Sequence, residues 1–95
     1  MEQKIEALRS ELSEIQSRLQ DPAIFSSPDY PKLAKRQNYL ESTIAIYDKI
    51  SMLREMLIGA QALVGGDDEL AELAVAEVAD LEEQIEENTL KLEEA

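Results

Sequence analysis

Ninety-five residues, 44% of them apolar and 32% charged, make one small domain with a limited core and little room for a second lobe to close over a substrate. The chain has neither Cys nor His, which removes disulfides, thiolate metal sites, the commonest zinc ligand and the commonest general base near neutral pH. A net charge of −12 argues against free nucleic acid as a partner for the surface as a whole.

The N-terminus, MEQKIEALRS, is charged from the start and carries no apolar run. It is neither a secretory signal nor a membrane span, so the cytoplasm is the expected compartment, or an organelle matrix after processing. Ile5, Leu8, Leu12, Ile15 and Leu19 then follow one another at steps of three and four residues. That spacing holds all five on one stripe of a helix over about residues 2–20.

Asp21-Pro22 ends this helix. Pro22, Pro28 and Pro31 fall within ten residues, which predicts a connection over 21–30 rather than an element. Ile24, Phe25 and Tyr30 are expected to tuck against the bundle from it. The second helix is expected over about 31–64, with Pro31 tolerated in its first turn.

This second helix carries two apolar stripes. Leu33, Leu40, Ile44 and Tyr47 form one, with Gln37 filling its gap; Ile46, Ile50, Leu53, Leu57, Ala60 and Val64 form the other. Neighbouring stripe positions differ by about 100° around the axis, so the helix has two partners. The first helix lines chiefly its first half and the third helix its second. Gly59 is a candidate kink inside it.

Val64-Gly65-Gly66-Asp67-Asp68-Glu69 reads as a hairpin turn. The glycines suit a left-handed helix end, and Asp67 or Asp68 caps the third helix, whose first acids meet the partial positive charge of its N-terminus. A phosphate loop would end in Gly-Lys-Ser/Thr, and an EF-hand would alternate its acids before a central Gly. The third helix, about 68–94, places Ala71, Ala74, Val78, Leu81, Ile85 and Leu92 on one seam, with Asn88 as its polar member. The fold class is therefore all-α: an elongated antiparallel three-helix bundle whose second and third helices form a coiled-coil-like hairpin. Centring the turn on 65–66 places Glu77 near Arg54, Glu82 near Lys49, and Glu93–Glu94 near Lys35 and Arg36.

Charge is distributed unevenly. Residues 67–95 hold twelve acids against Lys91, a balance of −11, while residues 1–66 hold nine acids against eight bases, a balance of −1. The acidic face is either a solvated surface or a docking surface for a basic partner. Lys32, Lys35 and Arg36 form a small basic cluster where a helix N-terminus disfavours cations. Either they pair with the end of the third helix or they contact RNA phosphate or an acidic protein, and they are the candidate partner-contact residues. No constellation supports catalysis. Glu82-Glu83, Glu86-Glu87 and Glu93-Glu94 lack the apolar enclosure that raises a carboxyl pKa, and no Ser or Thr has a base partner. No catalytic, cofactor-binding or metal-binding residue is assigned.

RLQDPAIFSSPDYPKLAKRQNYLES, AIYDK and GGDDELAELAVAEVADLEEQIEE resemble the helical N-terminal domain of bacterial-type class I peptide chain release factors. The resemblance rests on Asp21-Pro22, on Lys32, Leu33 and Lys35 opening the second helix, on Tyr39-Leu40-Glu41 and Tyr47, and on the Leu81-to-Glu83 run. The Tyr47 context and Phe25 side with the factor 1 branch rather than factor 2. The resemblance implies a piece of a longer protein, whose stop-codon-reading and Gly-Gly-Gln-bearing domains are outside these residues. It further implies docking near the ribosomal stalk base and orientation of the parent factor, with the ribosome and the parent's remaining domains as partners. The charge and the lack of an apolar run, for their part, predict no membrane and no free DNA as partners. The reading of the residues alone also fits a free-standing helical coiled-coil adaptor or scaffold, and assigns no oligomeric state.

Overall fold

The computed structural model describes residues 2–95. Among them are three α-helices, α1 (Glu2–Leu19), α2 (Tyr30–Leu63) and α3 (Glu69–Glu94), with a short 3₁₀ helix, Pro22–Ser26, between the first two. The all-α class expected from the apolar periodicity is what the structure has. The helices distribute over two compact units, one ending at Ala45 and the other spanning Ile46–Ala95. α2 contributes its first half to one and its second half to the other, which is the change of partner that its two stripes imply.

In the first unit Ile5 and Ile15 of α1 are buried, as are Leu40, Thr43 and Ile44 of α2. Leu8, Leu12, Leu19 and Leu33 are half-buried. The connection after α1 is more ordered than an irregular loop. Pro22 occupies the first turn of the 3₁₀ helix, and the Asp21 carboxylate accepts from the Ala23 N–H at 3.0 Å. A proline with its φ preset and a side-chain cap together satisfy the start of a single turn. Phe25 does not tuck in: it is 63% exposed, its ring resting against that of Tyr30 with centroids 5.1 Å apart. Ile24 and Tyr30 are half-buried. The Asp29 carbonyl accepts from the Leu33 N–H at 3.0 Å, the first bond of α2.

In the second unit Leu53 and Ala60 of α2 pack with Leu81 of α3, and Leu57, Val78 and Ile85 close around them. Ile50, Ala71 and Ala74 are buried as well. A connection this short leaves α2 and α3 no choice but to run antiparallel. Asn88 is buried on α3, and its side-chain amide donates to the Gln84 carbonyl at 2.8 Å. That bond to the preceding turn lets a polar residue occupy the seam without an unsatisfied donor.

The turn between α2 and α3 differs from the expectation. No described residue, glycine included, has a positive φ, so α2 does not end on a left-handed glycine. It tightens instead through three-residue bonds, Val64 N–H to the Gln61 carbonyl at 3.3 Å and Gly66 N–H to the Leu63 carbonyl at 3.2 Å, which use up terminal carbonyls without reversing the backbone. Asp68 is the cap of α3. Its carboxylate accepts from the Ala71 N–H at 3.1 Å, and Glu69 and Glu72 follow in the first turn. Gly59 lies within the unbroken span of α2.

Candidate functional site

Lys32, Lys35 and Arg36 are all exposed on the first turns of α2. Three, four and one residue apart, they fall within about 100° of arc on one side of the helix. The first turn of α2 contains no acid. Two lysines therefore add to the partial positive charge of the helix N-terminus with nothing on their own turn to offset them.

The structure separates the three by their neighbours. Arg36 is engaged: its Nε donates to one Glu11 carboxylate oxygen at 2.5 Å and its terminal Nη2 to the second oxygen at 2.8 Å. This two-bond fork is the geometry in which arginine and carboxylate match best. The guanidinium also lies over the Tyr39 ring, 5.0 Å from its centroid, a cation–π contact. The hydrogen bond from Arg36 holds the Glu11 carboxyl below its ordinary range; partial desolvation pushes the other way, and the positive charge of Arg36 adds to the lowering. Reciprocally, Glu11 raises the arginine. Both side chains remain over a third exposed, so water screens the pair and its stabilising effect is modest.

Arg36 thus pairs across to α1. Lys32 and Lys35 are exposed, and neither has an ion pair among the described residues. Glu11 could not be foreseen as the partner, because it sits 25 positions away on a helix face that the sequence marks only as polar. Once α1 and α2 pack by their apolar stripes, the flanks of those stripes meet.

The expected pairs in the hairpin fail for a related reason. Equal height along the two helices brings Arg54 level with Glu77 and Lys49 level with Glu82. Measured from the buried seam, however, Arg54 and Glu77 turn to opposite sides of the hairpin, as do Lys49 and Glu82, since each residue advances about 100° around its axis. Among the described residues no group of His, Cys, Asp or Glu is arranged to hold a metal ion. No helix among these residues is long and apolar enough to cross a membrane.

The family model described as the PCRF domain matches residues 8–95. The chain is 37% identical over 93 residues to peptide chain release factor 1 of Anaeromyxobacter dehalogenans (strain 2CP-C), covering 94% of this chain and 25% of that protein. It is 34% identical over 88 residues to the protein of the same name from Geobacter sulfurreducens, covering 92% and 24%. Over 84 residues it is 36% identical to that of Mycobacterium avium (strain 104), covering 87% and 22%. This chain therefore spans about a quarter of the length of the curated relatives it matches. No solved structure matches it.

Proposed function

This chain belongs to the PCRF domain family of peptide chain release factors, and from that premise we propose that it is the N-terminal docking and orienting domain of a translation termination factor. In this reading it works in the cytoplasm on the ribosome at stop codons, near the stalk base. It has no hydrolytic chemistry of its own. The observation that carries the reading is the pattern of coverage: the relatives match nearly all of this chain but use only about a quarter of themselves in doing so. The Gly-Gly-Gln tripeptide that the resemblance assigns to peptidyl-tRNA hydrolysis does not occur in these residues.

Lys32 and Lys35 are the contact residues in this proposal. They are exposed, unpaired and set on a helix start without acids, which favours an anion such as RNA phosphate or a carboxylate. Arg36 supports them from its place against Glu11 and Tyr39.

The test is co-sedimentation of the chain with ribosomes at low salt, together with a peptide-release assay. The expected outcome is salt-sensitive binding that Lys32→Glu with Lys35→Glu weakens several-fold, and no release of peptide at any concentration. Unchanged affinity in the double variant would take these lysines out of the interface, and stop-codon-dependent release by this chain alone would overturn the docking role.

A further inference from the structure

The helical hairpin of the second unit is built inside out near its turn. Small residues, Ala60, Ala71 and Ala74, fill the buried seam, while Met52, Met56, Leu63, Leu70 and Leu73 are between 45% and 66% exposed. Alanine in the seam lets two helix backbones approach closely, but nothing in that packing requires methionine and leucine outside it.

These five residues are not scattered. Met52, Met56 and Leu63 follow one line along α2, turned about 100° from its buried seam. Leu70 and Leu73 are turned in the same sense from the seam of α3. In an antiparallel pair, positions turned in the same sense from the seam share one side of the hairpin. The five therefore form one continuous apolar strip, with Leu73 at the height of Ile58 and Leu70 at the height of Gln61. Ile58 and Val75, also exposed, turn to the other side.

The strip has a charged border. Asp67 and Asp68 close it at the turn, and Glu77 and Asp80 of α3 flank it on the same side, all exposed. The cations of this unit that share the side, Lys49 and Lys91, lie towards the end remote from the turn. An apolar strip rimmed by polar groups on a small domain marks a surface that something covers, and flexible methionine side chains suit a surface that must mould to an incoming helix.

Charge selects among the possible occupants. Ile46–Ala95 holds fourteen acids against three bases, a balance of −11. A second copy would bring −11 against −11, and anionic lipid or nucleic acid would be repelled likewise. We propose that this side of the hairpin docks an amphipathic basic helix of a partner protein. The partner's apolar stripe covers Met52, Met56, Leu63, Leu70 and Leu73, and its lysines or arginines meet Asp67, Glu77 and Asp80. The inference stands on the second unit alone and does not depend on ribosome binding through Lys32 and Lys35.

The experiment is a nuclear magnetic resonance titration of the full chain, observing backbone amides and methionine methyls. The probes are a synthetic amphipathic helical peptide of leucine and lysine and its counterpart with glutamate for lysine. Sedimentation of the chain alone runs beside it. The expected result is that the lysine peptide shifts the Met52 and Met56 methyls and the amides of Leu63, Leu70 and Leu73, while the glutamate peptide shifts none. Met56→Glu with Leu73→Glu should weaken the lysine peptide about tenfold or more with the helical circular dichroism unchanged. Because both positions are exposed, loss of fold is not expected. If that spectrum does change, the milder Met56→Gln with Leu73→Gln gives the same readout. Equal binding of the two peptides would make the strip merely sticky and overturn the proposal. Methyls that stay still while only amides beside the α3 acids respond, or self-association that buries these five residues, would overturn it as well.

Discussion

The two units of this small chain solve the same packing problem in opposite ways. Up to Ala45, large side chains are inside: Ile5, Ile15, Leu40 and Ile44 are buried, and among the described residues Phe25 and Tyr39 are the large apolar ones left out. Seven acids stand against six bases there, a balance of −1, and Arg36 is held by Glu11 and Tyr39. From Ile46 onward alanines share the seam, leucines and methionines line the outside, and fourteen acids stand against three bases, a balance of −11. One unit is closer to a self-contained pack, and the other presents more than its own core requires. The difference teaches that apolar content alone does not locate a core. What counts is how far each residue is turned from the line along which two helices touch.

The contrast breaks most visibly if buried and exposed leucines of α3 behave alike. Leu81 is 2% exposed and packs with Leu53 and Ala60, so Leu81→Ala should cost about 2–5 kcal/mol in urea unfolding, the usual range for a cavity in a packed seam. Leu73→Ala, on the outer strip of the same helix, should change stability by no more than about 0.5 kcal/mol. Equal losses would mean that the strip is part of the core, and the division drawn here would fail.

The glycines sharpen the comparison at the next scale. A Cβ at Gly59 would meet nothing within 4 Å, and the residue lies in an exposed helix interior. Gly59→Ala should therefore raise stability by about 0.5–1 kcal/mol. Gly66 has no positive φ, and a Cβ there would make ordinary contacts, the nearest 3.5 Å from the Leu63 carbonyl oxygen. Gly66→Ala should be tolerated, whereas a helix end that needed a left-handed residue would lose stability by more than Gly59→Ala gains. Thermal unfolding of the two variants side by side separates these cases.

The smallest effect concerns the ion pair of the first unit. Glu11 has its pKa lowered, first by the hydrogen bond from Arg36. A carboxyl whose folded pKa lies below its unfolded value stabilises the fold above the ordinary glutamate range, and that contribution disappears as pH falls through the lowered folded value. The side-chain carboxyl resonance of Glu11 should titrate below the ordinary glutamate range, and Arg36→Gln should return it to that range. If it already titrates in the ordinary range in the unaltered chain, the fork between Glu11 and Arg36 is not held in solution.

Much of the candidate site was legible in the sequence, but not its pairing. Lys32, Lys35 and Arg36 stand out as three bases at a helix start. That Lys32 and Lys35 are left open while Arg36 is occupied depends on Glu11, 25 positions earlier. The outer strip of the hairpin was missed because its members are individually ordinary in an apolar-rich helix. The available signal was that Met52, Met56 and Leu63 fall outside both stripes of α2 and repeat at helical spacing.

By itself the sequence determined the helices, their seams and their punctuation. These depend on bonds between residues three or four apart, on proline at Pro22 and Pro31, and on a short acid such as Asp68 that can cap the next turn. The order of the elements along α2 followed too, because two stripes about 100° apart require two partners. Only the tertiary structure decided which charges meet, which side of the hairpin each flank faces, and that Gly66 needs no left-handed backbone. Those outcomes depend on how each helix is rotated about its own axis against its neighbour. That rotation is fixed by the packing of whole side chains rather than by any local pattern.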